Sequence, residues 1–251
     1  MLVFFAFAVL LVATSLLRGR DYFARTRDEW LVDGAGLIAQ GVLVPLLETF
    51  AIVALLAAVA PRLRGAIDLS FAEGFLLNFV VIDYAYYWNH RLLHGALWRW
   101  HVVHHTARKL DVLVTARNTL WTPLLIVYVW LNALALFLLR EPAGFLLGMS
   151  LTAALDLWRH SPLRAPRFVS LLFITPHEHA WHHSRDRTDV NFGANLSVWD
   201  RVHGTFGGDV AAPTSLGVDV AGSGWRQLLL GVERDARRLR AGRPLSSAEA
   251  R

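Results

Sequence analysis

Long apolar runs separated by short basic stretches set the pattern of this chain. Residues 1–17 are almost wholly apolar, 36–60 are long enough to cross a bilayer, and 119–139 form another span. The runs 71–88 and 142–158 are shorter or more polar, and each crosses only with the help of neighbouring helices. Residues 1–17 lack a basic leading region and run into Arg18 without a small-residue cleavage pattern, so they read as a retained helix and not as a secretory leader. No alternation of apolar and polar positions marks a strand. The expectation is an all-α integral membrane protein with four to five transmembrane helices. Residues 89–118 and 160–208 then form a cytosolic helical cap, 209–224 a loop, and 225–240 a helix lying on the membrane surface. One domain covers 1–251, with its catalytic region at about 71–208.

Composition supports the membrane reading. The chain is 55% hydrophobic, with a mean hydropathy of +0.38, too apolar for an ordinary soluble domain. Its formal charge of +5 comes from arginines gathered in particular loops. Arg18, Arg20, Arg25 and Arg27 crowd the first. Arg91, Arg99, Arg108, Lys109 and Arg117 lie among the histidines, and Arg159, Arg164, Arg167, Arg185, Arg187 and Arg201 flank the last of them. The positive-inside rule puts the cap and the C-terminus in the cytoplasm, at a bacterial inner membrane, and makes a nucleic-acid explanation of the charge unnecessary. The basic tail 234–243 is placed near anionic headgroups. With no cysteine, disulfides and thiolate-bound clusters are excluded.

Eight of the eleven histidines fall in three bursts: His90/His94, His101/His104/His105 and His179/His182/His183. Histidines three or four residues apart share a helical face and can reach one metal ion. His160 stands alone between the last two bursts. On one straight helix, His90 and His105 would lie about 22 Å apart, so the chain must turn between them, and Gly95 is placed to allow it. Within each His-x-x-His-His triplet the first and second rings share a face and the third points about 100° away, so one triplet can serve two metals. Nine imidazoles are too many for one closed site and suit two ions with about four each. Asp156 is a candidate ligand, an acceptor for a ligand's free N–H or an interhelical hydrogen-bonding partner, and Asp83 a candidate to orient a histidine by accepting its free N–H. Glu48 and Asn78 read as interhelical hydrogen-bonding partners.

His177-Glu178-His179 resembles the start of a metalloprotease helix, but Trp181 stands where that motif needs its second histidine. The chain has neither a phosphate-binding loop nor a glycine-rich dinucleotide fingerprint, so electrons must come from another protein.

The ordered segments 83–94, 97–105, 160–161, 175–183, 189–193 and 199–205 resemble the fatty acid hydroxylase/sterol desaturase superfamily of membrane di-iron enzymes. They include Asp83-Tyr84-Ala85-Tyr86-Tyr87-Trp88-Asn89-His90-Arg91-Leu92-Leu93-His94, Thr175-Pro176-His177-Glu178-His179-Ala180-Trp181-His182-His183 and Trp199-Asp200-Arg201-Val202-His203-Gly204-Thr205. The resemblance implies that His90, His94, His101, His104, His105, His160, His179, His182 and His183 are the ligands of two iron ions, a site that zinc could also fill in purified protein. It further implies O2-dependent hydroxylation or desaturation of a sterol, fatty acyl or carotenoid-like lipid. The external donor would be of ferredoxin, rubredoxin or cytochrome type with its reductase, and the cap arginines offer it a positive surface. His203 stands where the family has an apolar or aromatic residue and is left out of the set. His177, at a variable position, is a candidate tenth ligand. Cleavage of an ether lipid is the alternative within enzymes, and metal transport the alternative from another class.

Overall fold

The computed structural model describes residues 2–187, 189–209 and 211–232, and among them every regular element is a helix. β-type pairing is confined to isolated bridges such as Phe173 with Leu196 and Ser184 with Leu216. The apolar N-terminal run forms α1 (Leu2–Arg18). The second run is one long helix, α2 (Arg27–Val59), started by a capping box in which Thr26 and Glu29 satisfy each other's main-chain N–H groups. Two stretches of α2, Ala39–Leu43 and Leu47–Ile52, widen to π-helical geometry on either side of Pro45. Proline has no N–H to donate and its ring crowds the preceding turn, so a helix passing through it must loosen locally.

Among the described residues α2 is the one helix both long and apolar enough to cross a bilayer by length and composition. Phe50, Leu55 and Val59 project from it, more than 60% exposed, as a face turned to lipid would. The run 119–139, expected as a span, is broken. A short helix at Thr122–Leu125 ends in an extended Ile126, and α4 (Val127–Leu138) begins anew after it. Asn89 bridges the gap, donating to the Leu125 carbonyl at 3.0 Å and accepting from the Val127 N–H at 3.1 Å. A break inside an apolar run is tolerated where a side chain re-satisfies the freed backbone.

The helix α3 covers residues 71–94 without interruption, its middle turn (Leu77–Ile82) again π-helical. It lies along α5 (Ala143–Arg159). The two approach so closely that a Cβ on Gly144 would sit 1.9 Å from the Phe71 carbonyl oxygen. Beyond them come α6 (Pro176–His182), opened by a Thr175/Glu178 capping box, and α7 (Gly224–Leu230), which packs on α2. Of the surface helix expected over 225–240 only this first part falls among the described residues, and the tail 234–243 lies outside them.

Candidate metal centre

The chain reverses at Gly95, where α3 stops at His94, and a new helical turn starts at Trp98–His101. That reversal and the C-terminal ends of α3 and α5 bring all nine grouped histidines together, each no more than 7% exposed. They form two sets. His90, His94, His101, His105 and His182 make the first, and His104, His160, His179 and His183 the second; within each set the ligand-type nitrogens lie within 4.8 Å of one another. The triplets divide differently from the expectation. The first and third rings (His101 with His105, His179 with His183) share a set, while the middle ring (His104, His182) crosses to the other. Residues i and i+4 are about 40° apart around a helix and i and i+3 about 60°, which favours the outer pair.

Main-chain carbonyls fix the orientation of four rings. His90 Nδ1 donates to Phe192 O at 2.8 Å, His182 Nδ1 to Val190 O at 2.7 Å, His104 Nδ1 to Arg117 O at 3.1 Å and His160 Nδ1 to Asp156 O at 2.8 Å. A carbonyl can only accept, so in each ring Nδ1 carries the proton and Nε2 of the neutral ring is a bare lone pair. His104 Nε2 and His160 Nε2 nevertheless face each other at 3.2 Å. Two lone pairs at that distance repel unless a cation lies between them. Protonation of a ring would also relieve the repulsion, but burial, first of all, holds the His104 ring uncharged. It presses His104 and His182 down to about 3, and His90, His101, His105, His179 and His183 far below the ordinary histidine range. Neighbouring Nε2 atoms stand 2.9–3.2 Å apart in both sets. Ligands about 2.1 Å from one ion are separated by about 3.0 Å in octahedral and about 3.4 Å in tetrahedral coordination. The donor set fits metal.

Two carbonyls serving the first set come from one short loop. Asn191 adopts a left-handed backbone (φ 56°), which lets the carbonyls of Val190 and Phe192 on either side of it reach His182 and His90. Its amide donates to Glu178 O at 2.9 Å and Gly207 O at 2.7 Å, and its Oδ1 accepts from the Gly207 N–H at 3.0 Å. Asp200 accepts the Phe192 and Gly193 N–H groups, both at 2.7 Å, and the Thr205 hydroxyl at 2.7 Å. The Asp189–Gly193 and Trp199–Thr205 motifs are thus the mould for half of the centre.

Asp156 belongs to neither set. Its carboxylate lies 3.3 Å from His160 Nδ1 and 2.6 Å from Arg159. Asp83 corrects the expectation that it orients a histidine: it accepts the Asn195 N–H at 2.8 Å, the Leu196 N–H at 3.2 Å and Trp199 Nε1 at 2.8 Å, tying α3 to the loop before Trp199. His177 is likewise not a tenth member; it points outward and bonds to Asp209 O at 2.9 Å. His203 stacks on Tyr87 and meets the Tyr84 hydroxyl, apart from both sets. Asn78 does pair across helices, with Asn132 at 3.1 Å. Among the described residues no such partner is seen for Glu48, which lines a cavity instead.

That cavity, of about 280 Å³, opens on His90, His101, His104, His160 and His179 and runs between α2, α3, α4 and α5.

The pattern that defines the fatty acid hydroxylase family matches residues 75–205, a stretch holding all nine histidines and the Asn191 and Asp200 supports. The chain belongs to the fatty acid hydroxylase family. Among curated proteins it is 32% identical over 159 residues to ornithine lipid hydroxylase OlsE of Rhizobium tropici, covering 59% of this chain and 45% of that protein. It is 27% identical over 135 residues to alkylglycerol monooxygenase of Homo sapiens (51% and 29%) and 30% identical over 135 residues to that of Danio rerio (52% and 30%). The match therefore spans less than half the length of each of these relatives. No solved structure matches the chain.

Proposed function

We propose that this protein is a membrane lipid oxygenase that inserts one oxygen atom of O2 at a C–H bond of a chain-bearing lipid. The observation that carries this reading is the pair of ligand-type nitrogens His104 Nε2 and His160 Nε2, held 3.2 Å apart in the lining of a cavity between apolar helices. The two histidine sets hold two iron ions, which when bound supply O2 binding and one-electron chemistry. The protein's own part is to aim the nine imidazoles, to keep water from the reacting carbon and to align the substrate. A cavity of about 280 Å³ is small among ligand sites and favours one extended chain over the fused rings of a sterol. Hydroxylation is preferred over desaturation because the relatives are named hydroxylase and monooxygenase. In this reading the chain is one domain with four to five membrane passes, the histidine end faces the cytoplasm, and residues 71–208 carry the chemistry. Nine ligands closed into two sets favour catalysis over metal transport, whose ion sites sit on interrupted helices at mid-membrane.

The alkylglycerol monooxygenase relatives support a second reading: hydroxylation beside an ether oxygen, giving a hemiacetal that collapses to an aldehyde and an alcohol. Both are tested with the purified, iron-loaded protein, a reductant and ¹⁸O2 against acyl, aminoacyl and ether lipids. One ¹⁸O in an alcohol product supports the first, and a released aldehyde the second. No labelled product from any of these lipids would refute both.

A further inference from the structure

Besides the histidines, the cavity is lined by polar side chains on otherwise apolar helices. Gln40 and Glu48 reach it from α2, Asn78 from α3 and Asn132 from α4. Gln40, Glu48 and Asn78 each sit on one of the π-helical stretches, a distortion frequent where a helix presents a side chain for function. The Leu47–Ile52 turn that carries Glu48 packs against α4. Asn78 and Asn132 satisfy each other at 3.1 Å, and the Thr152 hydroxyl approaches Asn78 Oδ1 at 3.5 Å.

Glu48 differs from the two asparagines. It is 8% exposed, lines the cavity and has neither a hydrogen-bond nor an ion-pair partner among the described residues. A carboxyl buried in an apolar helix without a partner works against folding, and such a group is retained where a ligand supplies the partner. We infer that Glu48 reads the substrate: it takes a hydrogen-bond-donating group, a hydroxyl or an amine, carried by the lipid at a point remote from the reacting carbon. Twelve residues of α3 separate Asn78 from His90 and eight of α5 separate Thr152 from His160. At about 1.5 Å per residue, the polar end lies roughly 12–18 Å from the histidines. The lipid is therefore bifunctional, with its donor group in the Glu48 end and its reacting carbon at the imidazoles. The second half of that statement rests on the oxygenase reading; the binding of the donor group does not.

The test is equilibrium binding to the metal-loaded, detergent-solubilised full chain, kept free of O2 so that nothing turns over. The probes are saturated chains of one length ending in a methyl, a hydroxyl or a primary amine. The native protein is expected to bind the hydroxyl or the amine about tenfold or more tightly than the methyl. Glu48→Leu is expected to erase that preference while raising the melting temperature, because it removes an unpaired buried carboxyl. Glu48→Gln distinguishes the sources: it keeps a preference for a hydroxyl and loses one for an ammonium. Equal binding of all three probes by the native protein, a preference surviving in Glu48→Leu, or a lower melting temperature in that variant would each overturn the inference. A preference that vanishes in Glu48→Leu, found together with no oxygenated product, would leave Glu48 as a reader and refute only the oxygenase reading.

Discussion

His104 gives its Nδ1 proton to the main-chain carbonyl of Arg117 at 3.1 Å, and the guanidinium of the same Arg117 is clamped on Asp33 of α2 at 2.6 and 2.9 Å. Asp33 also holds Arg25 at 2.6 Å, and Arg25 reaches on to Asp111 at 2.6 Å. All four charged side chains are no more than 4% exposed. One ring of the second histidine set is thereby aimed by an ion cluster anchored on the long apolar helix. Asp33→Ala strips Arg117 of its closest counter-charge, leaving Glu29 at 3.6 Å. Breaking a buried pair in this way is expected to cost about 3–5 kcal/mol. Thermal unfolding in detergent should show that loss, and metal analysis should show the second set emptying before the first.

Asn191 acts on the first set. Alanine there loses three hydrogen bonds and stands in a backbone region that favours glycine and asparagine. The carbonyls of Val190 and Phe192 would drift from His182 and His90. Groups that orient metal ligands typically contribute 10–100-fold to affinity, so Asn191→Ala is expected to weaken one of two metals by about that factor and to spare the other. Competition with a chelator, followed for each ion, checks this.

Metal content itself separates the nine grouped histidines from the other two. Two ions per chain are expected after anaerobic loading. His104→Ala and His182→Ala should each lose metal and activity, because nothing nearby replaces a bare Nε2 in a buried set. His177→Ala and His203→Ala should retain both ions, since one ring points outward to Asp209 and the other stacks on Tyr87. A single ion per chain in the native protein would rule out the two-set reading.

The helical fold and the family could be read in the chain because apolar runs and His-x-x-His-His spacing are local signals. The reversal at Gly95 followed from length alone. Three things did not follow. Which set the middle ring of each triplet joins depends on where α6 lies relative to the Trp98–His101 turn, a tertiary fact. The carbonyls that hold His90, His104 and His182 belong to the backbone of Phe192, Arg117 and Val190, and a backbone acceptor leaves no mark on residue identity. The break at Ile126 lies inside an unbroken apolar run, and only the neighbouring Asn89 makes it tolerable. Asn191 and Asp200 were visible as motif residues, but their work on the loop was not.

Burial of the imidazoles has a consequence for acid stability. His104 and His182 sit near 3 in the folded protein, against an ordinary histidine value of 6.5. The unfolded chain therefore binds protons that the folded one refuses. The stabilisation is complete above about pH 6.5 and is lost as pH falls from there toward 3, by up to about 1.4 kcal/mol per pH unit for each such ring. Metal-free protein is expected to show a level melting temperature between pH 8 and 7 and a steep fall below 6.5. Metal-loaded protein should resist to lower pH because the ions compete with the protons. A flat profile for the metal-free protein down to pH 5 would contradict the burial argument.

The arginines expected to greet an electron carrier are more occupied than their number suggests. Arg108 and Arg185 both pair with Asp219, Arg99 donates to the Leu230 carbonyl and Arg201 to that of Ser170. A carbonyl leaves the guanidinium charge intact, whereas Asp219 cancels one of the two charges it joins. If an acidic donor docks on this surface, Asp219→Asn adds one unit of positive charge beside Arg108 and Arg185 and should speed its association. The gain should be largest near 0.01 M salt, where charges act over about 30 Å, and should fade by 0.15 M, where they act over about 8 Å. Turnover with a small neutral reductant should ignore both the substitution and the salt. Stopped-flow reduction with each donor, across that range and in both proteins, measures the difference. Identical rates for native and Asp219→Asn protein with the acidic donor at low salt would confine these arginines to setting the orientation of the chain in the membrane.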